Sequence, residues 1–148
     1  MSILGEFREN QVFWVALTAW FIAQTLKGII CLIKTKRIDF RRFIGAGGMP
    51  SSHSAFVTSL AYCIGETEGW SSGIAALALV FAFIVMYDAA GVRLAASKQA
   101  KTLNQIIDEL FEAGTFHQER LKELLGHTPF EVMIGAILGL VVSIYLLR

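Results

Sequence analysis

The sequence predicts an all-α fold, a bundle of about four transmembrane helices with one further amphipathic helix on the cytoplasmic side. Hydrophobic residues make up 55% of the 148 residues and the mean hydropathy is +0.57, whereas soluble domains are roughly 45–50% apolar. The apolar residues form long segments, and the cations are concentrated in two of the polar connections between them. The chain length is typical of one domain, so we expect a single membrane domain over residues 1–148.

The first three apolar segments predict three helices of unequal length. Gln11–Ile33 is almost entirely apolar or aromatic and exceeds the about 20 residues that a membrane-spanning helix needs. Ala55–Ile64 is short for a full span, so we expect this helix to include Pro50–Ser54 or to pack partly against protein. After an acidic turn at Glu66–Ser72, uninterrupted apolar sequence over Gly73–Met86 predicts the third helix.

The second half of the chain predicts an amphipathic helix and a last membrane helix. Over Gly91–Ala113, apolar residues recur with the helical period and charged residues occupy the rest of the wheel. We expect this helix outside the bilayer core. After the polar stretch Gly114–Gly126, the apolar segment Phe130–Leu147 predicts the last membrane helix.

The placement of the cations predicts the topology. Lys and Arg in short loops are held on the cytoplasmic side of a membrane. The second connection, Glu66–Ser72, has no cation, so we expect the first and third connections in the cytoplasm and both termini outside. The cations of these two connections are Lys34, Lys36, Arg37, Arg41, Arg42, Arg93, Lys98, Lys101, Arg120 and Lys122. The net charge of only +1 gives no overall attraction to nucleic acid.

The string GGMPSSHS, residues 47–54, indicates an anion site at a helix start. Glycines such as Gly48 let backbone N–H groups approach an anion closely, and serines such as Ser52 stand where a helix leaves N–H donors unpaired. His53 then lies one turn inside the helix, near any bound anion. An ordinary helix cap with an interfacial histidine is an equal alternative for this string alone.

The string GHTPFEV, residues 126–132, places a histidine four residues before a carboxylate. With Pro129 favouring a helix start between them, Glu131 can hydrogen-bond one imidazole nitrogen of His127 and leave the other nitrogen free to attack. Taken alone, the string is equally well explained by a solvated His127 and a Glu131 that favours the positive end of a helix.

Together the two strings resemble the type 2 phosphatidic acid phosphatase (PAP2) superfamily, and most closely its small divergent branch related to acid phosphatase and vanadium haloperoxidase. GGMPSSHSA, YDAAGVR and LGHTPFEV occur in the order and spacing of that branch over nearly the whole chain. The resemblance implies a PAP2-like helical core in which His127 attacks phosphorus, Glu131 orients it and His53 protonates the leaving oxygen. It also implies a membrane hydrolase of lipid-linked phosphate that needs no metal or other cofactor.

The sequence departs from the superfamily pattern at the phosphate clamp. The superfamily places an arginine six positions before the attacking histidine, and this chain has Leu121 there. Lys34 and Arg41 match the Lys-x6-Arg spacing of the first superfamily motif, but Arg42 stands where proline is expected. Glu131 also replaces the usual aspartate, which adds one methylene.

Three further ionisable residues are candidates near the predicted cytoplasmic ends of the helices. Lys27 would bind substrate phosphate or extend to the headgroups. Arg93 would supply a bidentate guanidinium to phosphate or pair with Asp88. For Asp88, partnership with Arg93 or Lys27 is favoured over a role in binding a cation or a catalytic histidine.

Two rival functions remain open at this stage. A non-catalytic membrane protein could use the same loops to bind anionic headgroups or a partner, and the missing arginine favours that interpretation. A metal-dependent hydrolase could instead use His53, Asp88 and Glu131. Four helices are few for enclosing a polar site in lipid, which leaves room for a homodimer.

Overall fold

The computed structural model describes residues 3–36, 48–111 and 126–147, and these residues form helices without any strand. An N-terminal helix that the sequence pattern did not predict precedes the others. The helices are α1 (Ile3–Arg8), α2 (Gln11–Thr35), α3 (Ser52–Glu68), α4 (Gly73–Ala90), α5 (Val92–Phe111) and α6 (Pro129–Leu146). The all-α class predicted from the sequence is confirmed.

The helix that the sequence predicts as short, α3, is longer than its apolar segment. Ser51 caps it, since its hydroxyl accepts a hydrogen bond from the Ser54 N–H, so the helix begins at Ser52. At the other end the helix continues to Glu68 through residues expected to form an acidic turn. Its 17 residues give a length of about 26 Å, close to the about 30 Å hydrocarbon thickness of a bilayer.

Helix α3 lies at the centre of the bundle and contacts α2, α4 and α6. The Ser51 N–H donates to the Glu131 carbonyl oxygen at 3.1 Å, so α3 and α6 start side by side and run parallel. The side-chain amide of Gln11 reaches the Leu146 carbonyl oxygen at 3.5 Å, which places the start of α2 beside the end of α6. Helix α2 is therefore antiparallel to both α3 and α6.

Small residues allow α3 and α6 to approach closely. A Cβ atom added at Gly135 would collide with the Ser51 carbonyl oxygen, and one added at Gly139 with the Ala55 carbonyl oxygen. One turn further along, the hydroxyls of Ser59 and Ser143 lie 2.6 Å apart. Small residues repeated every four positions, with interhelical hydrogen bonds, are typical of helix packing in membranes.

The large apolar side chains face outward. The exposed fractions of Phe21, Leu77, Phe83 and Tyr145 lie between 65% and 72%, whereas the buried residues of α4 are all alanines. Within the described residues, three segments are long and apolar enough to cross a membrane. They are Gln11–Ile33, Gly73–Ile107 and Pro129–Leu146. The outward apolar surface is what a lipid environment requires, so the chain is a membrane protein.

Candidate functional site

The start of α3 forms one wall of the site. Ser51, Ser52 and Ser54 are all buried, and the Ser51 hydroxyl accepts hydrogen bonds from the Ser54 N–H at 3.3 Å and the Ser54 hydroxyl at 2.9 Å. The side chain of His53, in contrast, is exposed. The local sequence thus buries its serines as a cap and presents its histidine at the surface.

The start of α6 forms the opposite wall through a capping box. The Thr128 hydroxyl accepts from the Glu131 N–H at 3.3 Å, and the Glu131 carboxylate accepts from the Thr128 N–H at 2.9 Å. The same carboxylate oxygen lies 3.4 Å from Nδ1 of His127. Glu131 therefore caps the N-terminus of α6 and also lies beside the imidazole of His127. The second placement agrees with the four-residue spacing in the sequence.

The two histidines of the candidate motifs lie together. The ring centroids of His53 and His127 are 6.5 Å apart, and the ring planes are inclined at 62° to each other. His127 is held from a third side, because its backbone N–H donates to the Ala89 carbonyl oxygen at the end of α4, at 3.2 Å. Asp88, half-buried, precedes Ala89. The ends of α3, α4 and α6 thus meet at this site.

Lys27 reaches the site from α2. Its side chain is only 4% exposed, although it is a cation on a membrane-spanning helix. Its aliphatic carbons pack on Gly48, where a Cβ atom would lie 3.3 Å from them, and the charge of Glu131 acts on it electrostatically. This placement differs from a lysine that extends to the headgroups, because the side chain is enclosed by protein.

Some candidates cannot be placed. Arg41 and Leu121 lie outside the described residues, and so do the side chains of Lys34 and Arg93, although their backbones belong to α2 and α5. Among the residues that the structure describes, no group of three His, Cys, Asp or Glu side chains could hold a metal ion. The three residues that the alternative of a metal-dependent hydrolase would use, His53, Asp88 and Glu131, do not form such a group.

Two buried residues beside the candidate residues were not singled out from the sequence. Gln24 is buried one turn before Lys27 on α2, and its spacing from Lys27 was the available signal. Gly135 lies against Ser51 and sets how closely the two site-forming helices approach. Its signal was the repeat of small residues at Gly135, Gly139 and Ser143.

The arrangement favours an anion. The N-termini of α3 and α6 lie side by side, so the positive ends of the two helix dipoles are adjacent. The buried amine of Lys27 adds a hydrogen-bond donor that is positively charged when protonated, and two imidazoles can donate or accept protons there. Helix N-termini of this kind bind phosphate in many proteins.

Comparisons with known proteins agree with the resemblance seen in the motifs. The family model described as "Divergent PAP2 family" matches residues 8–142. The chain is also similar to "Uncharacterized membrane protein YuiD" of Bacillus subtilis (strain 168), with 37% identity over 152 residues that cover 95% of this chain and 96% of the relative. No solved structure matches the chain. With its motif residues gathered at one end of a membrane bundle, the chain belongs to the divergent PAP2 family.

Proposed function

We propose that this protein hydrolyses a lipid-linked phosphate or diphosphate through a phosphohistidine intermediate at His127. The observation that carries the proposal is the convergence of His53 and the His127–Glu131 pair at two adjoining helix N-termini. Membership of the PAP2 family supports the same reaction class.

The attacking atom in this proposal is Nε2 of His127. Nδ1 of His127 lies 3.4 Å from the Glu131 carboxylate, and the proposal places the imidazole proton on this nitrogen, which leaves the lone pair on Nε2. Nε2 attacks phosphorus, a P–N bond forms and the P–O bond to the leaving group breaks. His53 gives its proton to the leaving oxygen and then accepts a proton from the water that hydrolyses the phosphohistidine.

His127 is only 2% exposed, so the phosphate must approach it past the side chains that cover it. His53 is exposed and its ring lies 6.5 Å from that of His127. A phosphoryl group in contact with one imidazole is therefore within reach of the other. Shielding from bulk water strengthens the electrostatic interactions of the developing charge.

Lys27 takes the role of the missing motif arginine in this proposal. The transition state of phosphoryl transfer spreads negative charge over the equatorial oxygens. The ammonium of Lys27, the N–H groups near Gly48 and Ser52, and the guanidinium of Arg93 stabilise that charge. Lys34 and Arg41 attract the anionic headgroup to the same end of the bundle. Because this end carries the cationic connections, the site faces the cytoplasm.

Phosphate release by the purified protein in detergent tests the function. The substrates are phosphatidic acid, phosphatidylglycerophosphate and a polyprenyl diphosphate, each compared with a protein-free control. We expect release from at least one of them. If the protein retains these lipids and releases no phosphate from any, it is a binding protein and the hydrolase proposal is wrong.

Replacing Lys27 by methionine is expected to lower kcat/KM for phosphate release by about 10²-fold, the effect of removing one group that stabilises transition-state charge. Methionine keeps the chain length and removes the charge. The control is Thr25→Met on the exposed face of the same helix, which we expect to behave as the wild type. Equal activities of the two variants would exclude Lys27 from the phosphate site.

Replacing Gly48 by alanine is expected to lower turnover, in addition to the loss of stability that the backbone conformation causes. Gly48 has φ +89° and a Cβ atom would press on the Lys27 side chain. Gly69 has a similar φ of +85° with open space around it, so Gly69→Ala reports the cost of the backbone conformation alone. We expect the two variants to lose similar amounts of stability, and only Gly48→Ala to lose turnover. That result would support contact between the backbone at Gly48 and the side chain of Lys27. Equal turnover in both variants would contradict it.

A further inference from the structure

A groove between α2 and α3 begins at the candidate site. It has a volume of about 210 Å³ and is lined by Leu17, Trp20, His53, Phe56 and Val57. Among the residues that the structure describes, every lining side chain apart from His53 is apolar or aromatic. His53 thus borders both the polar site and the groove.

The groove runs away from the phosphate site along the helices. From His53 to Val57, α3 advances by about 6 Å, away from the helix start where the anion would bind. Since α2 runs in the opposite direction, the step from Trp20 to Leu17 leads away from Lys27 in the same sense. A chain attached to a phosphate at His53 would follow this path into the membrane.

The size and lining of the groove restrict its occupant. Pockets that enclose a whole small ligand measure about 300–1,000 Å³, so the 210 Å³ groove holds one segment of chain, and the rest remains in the bilayer. Within the described part of the lining, the indole N–H of Trp20 is, beyond His53, the one side-chain group that could bond an ester carbonyl. The lining therefore suits a substrate whose hydrocarbon starts directly at the phosphate.

We propose that this groove binds the first hydrocarbon segment of an alkyl or prenyl phosphate, with Leu17 and Trp20 as specificity-determining residues. This inference rests on the proposed function, because it takes the phosphate position from the site at His53 and His127. It assigns the substrate to lipids in which the phosphate is carried by the hydrocarbon chain itself, rather than by a glycerol diester.

Binding of non-hydrolysable phosphonates tests the groove without turnover. Methyl-, butyl- and octylphosphonate are titrated against the protein in detergent. Burial of each methylene is worth up to about a fourfold gain in affinity, so we expect octylphosphonate to bind the wild type at least about tenfold more tightly than methylphosphonate. Absence of any gain would overturn the proposal.

Leu17→Trp fills the groove and is expected to reduce that gain to about threefold or less, with methylphosphonate affinity unchanged. Phe21→Trp, at an exposed position next to Trp20, is the matched control, and we expect it to keep the wild-type gain in affinity. It corrects for the partition of octylphosphonate into the detergent micelle, which both variants share. If Leu17→Trp does not fold, Trp20→Ala is used instead. It removes the largest lining side chain of the groove and is also expected to lose the gain in affinity from methyl- to octylphosphonate. A variant that retains the full gain would show that the chain binds elsewhere.

A phosphonate analogue of phosphatidic acid decides the substrate class. We expect its affinity to be insensitive to Leu17→Trp, and equal sensitivity would overturn the assignment to alkyl or prenyl phosphates. Failure of the groove is distinct from failure of the hydrolase proposal. Groove-dependent binding without phosphate release overturns hydrolysis alone, whereas phosphate release without chain-dependent binding overturns the groove alone.

Discussion

Replacing His127 by glutamine is expected to lower phosphate release by at least about 10³-fold. The imidazole supplies the attacking nitrogen in the proposed mechanism, and an amide cannot form the phosphohistidine. Glutamine retains a polar side chain of similar size, so the change removes the chemistry with limited loss of packing at a residue that is 2% exposed. The measurement is kcat on the best lipid phosphate, with elution volume and thermal unfolding in detergent as controls for folding.

Glu131→Gln provides a graded companion to this variant. The amide can still hold the capping box with Thr128 but no longer presents a negative charge to His127. We expect an intermediate loss of kcat, because the histidine stays in place while its orientation and basicity are weakened.

A His127→Gln protein that turns over like the wild type would exclude His127 as the nucleophile.

Replacing Gly135 by alanine is expected to damage both stability and turnover. The added methyl group would meet the Ser51 carbonyl oxygen, and the Ser51 Cβ would lie 3.1 Å away. To relieve this clash, the start of α3 must move away from α6. The movement falls where the Ser51 N–H donates a hydrogen bond to the Glu131 carbonyl oxygen. Overpacking of this kind costs about 1–3 kcal/mol, and it also separates His53 from His127.

Gly73→Ala is the matched control for this change. Gly73 begins α4, and a Cβ atom there meets nothing within 4 Å. We expect its unfolding temperature and turnover to equal those of the wild type or to exceed them slightly, because alanine is the better helix former. If Gly135→Ala had the same unfolding temperature and turnover as Gly73→Ala, the protein could not contain the close contact between α3 and α6 at Gly135.

The helices that the sequence predicted well are those whose pattern is local. The sequence predicts Gln11–Ile33 and Phe130–Leu147 because long, mostly apolar segments in lipid leave the backbone no alternative to a helix. The limits of α3 were harder to predict because they depend on the cap at Ser51 and on residues up to Glu68 that are polar but still helical. These polar residues carry no apolar pattern from which the helix end could be predicted.

The candidate site was predictable where its residues lie within one turn of one another. The pairing of His127 with Glu131 follows from helical spacing and the capping signal of Thr128 and Pro129. The burial of Lys27 against Gly48 depends on how α2 packs beside the start of α3, which no single segment encodes. For that reason the sequence left substrate binding and extension to the headgroups equally open.

Trapping the phosphorylated protein tests the phosphohistidine at His127 itself. The wild type is mixed with a radiolabelled lipid phosphate, quenched in alkali and digested, and the labelled peptide is identified by mass spectrometry. We expect an acid-labile, alkali-stable label on the peptide that contains His127, and no such label in His127→Gln. Rapid phosphate release with no label on His127, or a label that survives in His127→Gln, would contradict the proposed mechanism.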